Sequence, residues 1–97
     1  MRWVAIFEDT PAMAPVRRRL EPAHLDYLRS HVDEIVTAGG LRDEPGGAHS
    51  GGLWVFEVPS KQRAIELIEA DPYYRVERRP YRLQVWGKAL PDLKAVL

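Results

Sequence analysis

The first eight residues already limit the architecture. In Arg2 to Glu8, Trp3, Ala5 and Phe7 alternate with Val4 and Ile6, so an extended chain, whose successive side chains point to opposite faces, is apolar on both. The same holds for Leu53 to Val58, where Leu53 and Val55 oppose Trp54, Phe56 and Val58. A sheet built from such strands needs cover on two sides. With 97 residues there is chain for one domain and one modest core. Its own helices can cover one side, and the other must find cover elsewhere.

Six elements follow from pattern. Arg2 to Glu8 reads as the first strand, ended by the turn signature Asp9-Thr10-Pro11. Pro11 to Arg19 reads as irregular approach chain. From Pro22, a residue suited to a first helical turn, Leu25, Leu28, Val32 and Ile35 recur at intervals of three and four and predict a helix. Val36 to Leu41 predicts a short second strand, broken by Asp43-Glu44-Pro45-Gly46-Gly47, and Leu53 to Val58 the third. Ser60 is placed to cap a second helix, with Ala64, Ile65, Leu67 and Ile68 on one side. That helix should stop at Asp71, because a residue before proline is disfavoured in the α region. Tyr81 to Lys88 predicts the fourth strand, and Pro91 to Leu97 a final helical turn or an arm lying on a neighbour. The order β-α-β-β-α-β is that of the ferredoxin-like α+β fold, an antiparallel sheet with two helices on one face. A second copy packed sheet against sheet about a two-fold axis is the economical cover for the other face, making a homodimer; the alternative is that the tail or the Gly-rich loop folds over it.

Charge and composition exclude several functions. Fourteen basic and fourteen acidic residues leave no formal net charge, which argues against nucleic acid or an anionic membrane surface as the main partner. The absence of cysteine excludes disulfides, thiolate chemistry and cysteine metal sites. Met1 to Phe7 is apolar but too short for a signal-peptide core, so the expected location is cytoplasmic.

Few residues can carry chemistry. His24 lies beside the apolar stripe in what reads as the first turn of the first helix. There, burial or a carboxylate neighbour would tune it toward a general base near neutral pH, or it packs or caps at the helix start. His31 is seven residues on, about 10 Å along a helix axis, too far for both rings to hold one metal, so no metal site is expected. His49, in the Gly-rich loop, reads as solvated. Asp71 before Pro72 is a favoured start for a short helical turn and needs no other role. The loop Asp43 to Gly52, with four glycines and Ser50, lacks the Gly-Lys-Ser/Thr ending of a phosphate-cradling loop. Arg17-Arg18-Arg19 is either a clamp for a carboxylate or a solvated face. Trp3, Trp54 and Trp86 read as sheet packing, and no serine sits in a nucleophile signature.

One combination reaches further. Glu21-Pro22-Ala23-His24-Leu25-Asp26-Tyr27-Leu28, then Thr37-Ala38-Gly39, then Ala70-Asp71-Pro72-Tyr73, in this order and spacing, resemble the YciI-like (YCII-related) domain family along nearly the whole chain, as a single domain over 1–97. The resemblance implies a ferredoxin-like dimeric α+β barrel whose active-site dyad falls here on His24 and Asp71. Glu21 stands where family members often carry a basic residue, and Arg17 or Arg19 is the substitute. One branch of the family resembles a dehydrochlorinase of chlorinated muconolactones, and the fold is similar to muconolactone isomerase. The expectation is therefore a cofactor-independent lyase or isomerase. His24 would abstract a proton near a carbonyl of a small molecule, with Asp71 orienting the ring and Arg17, Arg19, Ser50 and Tyr73 binding the substrate. The alternatives are a binding or sensing module that holds a small metabolite unchanged, and a purely structural dimerisation domain.

Overall fold

A computed structural model describes residues 1–95 and 97. Four strands, β1 (Arg2–Glu8), β2 (Ile35–Arg42), β3 (His49–Glu57) and β4 (Tyr81–Val85), form one antiparallel sheet in the order β2-β3-β1-β4. Helices α1 (Met13–Ser30), α2 (Lys61–Ala70) and the short α3 (Pro72–Val76) complete the α+β arrangement. The register puts Trp3, Ala5 and Phe7 of β1 beside Phe56, Trp54 and Gly52 of β3 on one face. There, Ala5, Phe7, Trp54 and Phe56 bury against Ala64, Leu67 and Ile68 of α2 and Tyr74 of α3, which is the core the strand alternation predicts.

The first helix begins well before the expected Pro22. Its first turn contains Pro15, and a proline there loses only an N–H that has no partner within the helix. Met13, Val16 and Leu20 then pack with Tyr73 of α3 in a small second core, so the arginine run 17–19 is helical and not irregular chain. Pro22 is inside the helix, where it forgoes the bond to the Arg18 carbonyl. At its other end α1 stops at Ser30, and Ile35, expected on the helical stripe, instead opens β2. Strand β3 starts at His49, earlier than Leu53, and the intervening turn uses Gly46 at φ 77°, a conformation that favours glycine. Ser60 caps α2 as expected, accepting a bond from the Arg63 amide at 3.2 Å.

Strand β4 ends at Val85, so Trp86 lies just beyond it, exposed, with its amide donating to the Arg2 carbonyl at 2.9 Å. Of the tail, residues 91 and 92 form a turn. The expectation of a helical turn or arm over 91–97 includes position 96, which lies outside the described residues. Leu97 shares a cavity of about 240 Å³ with Thr37, Leu41 and Leu53 on the sheet's second face. On that face Val4 and Val55 are already buried within the single chain, while Leu41 stays exposed. No helix among the described residues is long and apolar enough to cross a membrane.

Candidate active site

Where α1 crosses the β2-β3 hairpin the two layers stand apart, leaving a cavity of about 260 Å³. Arg17, Glu21, His24, Leu25 and Leu28 line it from α1, their spacing being that of one helix face. Trp54 forms a wall, and Gly40 and Gly52, directly opposite one another across the strands, form the floor. A side chain on either glycine would enter space already used: a Cβ on Gly40 would stand 2.4 Å from Cδ2 of His49, and one on Gly52 3.6 Å from Nη2 of Arg79.

His24 and Asp71 meet at the edge of this cavity. Nδ1 of the ring lies 2.6 Å from Oδ1 of the carboxylate, with side-chain exposures of 12% and 2%. Asp71 reaches this position because Pro72 forbids α2 from continuing: the aspartate takes an extended conformation between α2 and α3. It sits at the N-cap of α3, yet its side chain makes no capping bond and is directed at His24 instead. The imidazole is held on its flat side too, stacked on the Tyr73 ring at 3.9 Å and 9°. The Trp54 ring lies 6.0 Å away between centroids. A buried carboxylate that accepts from Nδ1–H stabilises the tautomer with Nε2 unprotonated, and stabilises the imidazolium once Nε2 takes a proton. Nearby, the Tyr27 hydroxyl donates to the Leu67 carbonyl at 2.6 Å, and burial pushes its pKa up to about 12, so it stays protonated.

A second carboxylate, outside the lining itself, holds Arg17 and Arg79 at the other end of the cavity. Asp9 accepts from Nε and Nη2 of Arg17 at 2.9 and 3.1 Å, and from Nη1 of Arg79 at 2.5 Å. Burial would push its pKa up, but the hydrogen bonds from Arg17 and Arg79 outweigh it and hold the carboxyl below the usual range. Nη2 of Arg17 also donates to the Gly51 carbonyl at 3.1 Å. Arg79 is 3% exposed, with its guanidinium 4.5 Å above the Phe7 ring, and its Nε has no hydrogen-bond partner among the described residues.

The structure thus brings His24, Asp71, Arg17 and Tyr73 together around one space. Arg19 does not join them; it is an exposed residue of α1. Ser50 is exposed as well, its hydroxyl donating to the Leu41 carbonyl at 3.3 Å. His24 is well inside α1 and not in its first turn, because the helix starts at Met13. His49 is not simply solvated: it is half-buried over Gly40, and burial together with Arg17 and Arg42 lowers its pKa. His31 turns away, with Nδ1 2.9 Å from the Tyr27 carbonyl oxygen. Sequence reasoning missed Asp9 and Arg79. The first belongs to the turn signature after β1, and the second is paired with a residue 70 positions away, which no local pattern reveals.

Sheet order, helices and the cavity at the helix–sheet seam define a small ferredoxin-like α+β protein with a pocket of small-molecule size. Within that class, the chain belongs to the YCII-related domain family, whose profile matches residues 1–84. Among solved structures it is similar to 5-chloro-2-hydroxyhydroquinone dehydrochlorinase (TftG) from Burkholderia phenoliruptrix AC1100, in complex with 2,5-dihydroxybenzoquinone. The TM-score is 0.78 at 22% sequence identity, with 90% of this chain and 94% of that one covered. At that identity the likeness is one of fold. No curated protein matches the chain.

Proposed function

We propose that this protein is an acid–base enzyme acting on a small molecule that carries an acidic C–H beside a carbonyl, with elimination or isomerisation as the outcome. The observation that carries the reading is the 2.6 Å contact between His24 and a nearly inaccessible Asp71 at the edge of a cavity. In this reading Nε2 of His24 takes the proton. Asp71 holds the ring and offsets the charge that forms on it, and Tyr73 fixes the plane of the imidazole. Arg17 lines the same cavity and binds an oxygenated substituent of the substrate away from the reacting carbon. Every step uses protein side chains. The solved relative is described as a dehydrochlorinase bound to a dihydroxybenzoquinone, which makes small oxygenated ring compounds the first substrates to try.

Proton abstraction can be read without knowing the product. Incubation of the protein in D2O with a panel of cyclic ketones, quinols and lactones should incorporate deuterium into at least one of them, followed by NMR, and His24→Ala should stop it with the fold intact. Equal incorporation by the variant overturns the proposal. A compound that binds in the cavity but is recovered unchanged and undeuterated from the unmodified protein identifies a binding module instead.

The working unit we propose is a cytoplasmic homodimer of this one domain, paired through the second face of the sheet into an α+β barrel. Large exposed apolar side chains support this: Leu41 on β2, and Trp86, Leu90 and Leu93 after β4. Sedimentation equilibrium should give twice the chain mass of 11.1 kDa, and a monomer at micromolar concentration excludes the pairing.

A further inference from the structure

The cavity has two chemically different ends. His24 and Asp71 occupy one; Arg17 is seven residues earlier on α1, about 10 Å along the helix axis. At the Arg17 end two guanidiniums, Arg17 and Arg79, share the carboxylate of Asp9. The remaining capacity of Arg17 is also defined. Its Nε and Nη2 are bound to Asp9, and Nη2 also to the Gly51 carbonyl, which leaves Nη1 without a hydrogen-bond partner among the described residues. That nitrogen lies 3.8 Å from where a Cβ on Gly40 would stand, and Nε2 of His49 lies 2.6 Å from the same point. Two nitrogens from different elements therefore converge beside Gly40, whose missing side chain lets the His49 ring lie against the strand.

We propose that Arg17 Nη1 and the His49 imidazole form a carboxylate-binding subsite, making the ligand a small cyclic or short-chain carboxylic acid whose reacting carbon lies at the His24 end. This rests on the reading of His24 as a base only for the second half of that statement. The subsite fits a carboxylate because its donors are two separate nitrogens, matched by two oxygens on one planar group. The Arg17 guanidinium supplies attraction, and partial removal from water strengthens it. His49 is flanked by Arg17 and Glu21 of α1, Arg42 of β2 and Asp9 at the end of β1; burial and the two arginines favour its neutral form. A neutral imidazole can donate through Nε2–H to a carboxylate oxygen. Of the acidic groups nearby, Asp9 is engaged by the two arginines and Asp71 by His24, and Glu21 is at the exposed rim, where solvent weakens its repulsion.

The test is equilibrium binding, read without turnover. Benzoate and benzamide share a ring and differ in charge. Titrated into the protein and followed by NMR of the His49 ring, benzoate should saturate and bind at least about tenfold more tightly than benzamide, a difference of about 1.4 kcal/mol. His49→Gln and Arg17→Gln should each remove most of that preference, whereas His24→Ala should retain it. Because Arg17→Gln also disturbs Asp9, His49→Gln, on the hairpin, is the decisive variant, and circular dichroism checks the fold of both. Equal binding of the two probes, a preference that survives His49→Gln in full, or no saturation by benzoate at tens of millimolar each overturns the subsite. If benzoate binds as expected but His24→Ala leaves deuterium incorporation unchanged, the catalytic reading fails and the subsite stands.

Discussion

Two aspartates each hold a residue that lines the same cavity, and they are used in opposite ways. Asp9 lies between two guanidiniums, Arg17 and Arg79, whose charges do not vary over any accessible pH. Asp71 meets a single imidazole, the side chain whose charge changes near neutrality. A carboxylate between permanent cations fixes geometry: it ties the end of β1 to α1 and to the chain entering β4. A carboxylate on an imidazole stabilises one protonation state over the other, and therefore biases a reaction. Burial alone, nearly equal for the two (side-chain exposure 7% and 2%), does not distinguish them; the partner's chemistry does.

The contrast can be broken from either side. Asp71→Asn keeps the shape but turns a donor toward Nδ1, favouring the wrong tautomer. Turnover of any substrate found should fall by up to about 10⁴-fold, with little change in the urea midpoint, and undiminished kcat would place Asp71 with the structural carboxylates. Asp9→Ala should do the reverse, leaving Arg79 buried without its charge partner. Chemical denaturation should register a loss of about 3–5 kcal/mol. A loss below about 1 kcal/mol would mean that the cluster behaves as a surface pair.

Acid separates them further. Because the folded chain holds the Asp9 carboxyl below its ordinary value, its stabilisation is complete above the unfolded-chain pKa of about 3.9 and is lost as pH falls through the lower folded value. The stability gap between the unmodified protein and Asp9→Asn should therefore narrow as pH drops from about 6 to about 2; a gap that stays constant means the ionised carboxylate is not its source. The smallest expected effect is that of Tyr27→Phe, which removes the bond to the Leu67 carbonyl. It should lower stability by about 0.5–1.5 kcal/mol, measured by thermal melting, and leave carboxylate binding untouched.

What could be read in the sequence divides along the same line. Alternation in β1 and β3, the Ser60 cap and the stop imposed by Pro72 are local effects, written in neighbouring residues. The positions of His24 and Asp71 came from the family resemblance, while their 2.6 Å approach is a property of the fold. The start of α1 was obscured by Pro11, Pro15 and three arginines, although Met13, Val16 and Leu20 held helical spacing and would have shown it. Arg79 had no such signal, since a buried arginine is recognisable only through its distant partner. His49 looked solvated because nothing in a glycine-rich hairpin tells which residues lean back over the strands.

Tyr73 joins two parts of the molecule that would otherwise be independent. One side of its ring supports the His24 imidazole, and the residue itself is a member of the small cluster with Met13 and Val16. The aim of the imidazole is thus transmitted from packing at the beginning of α1, where Met13 and Val16 lie outside the cavity lining. Rate and thermal softening of that first turn should rise and fall together, so directed evolution seeking a faster or more heat-tolerant variant has a handle at Met13 that never touches the pocket.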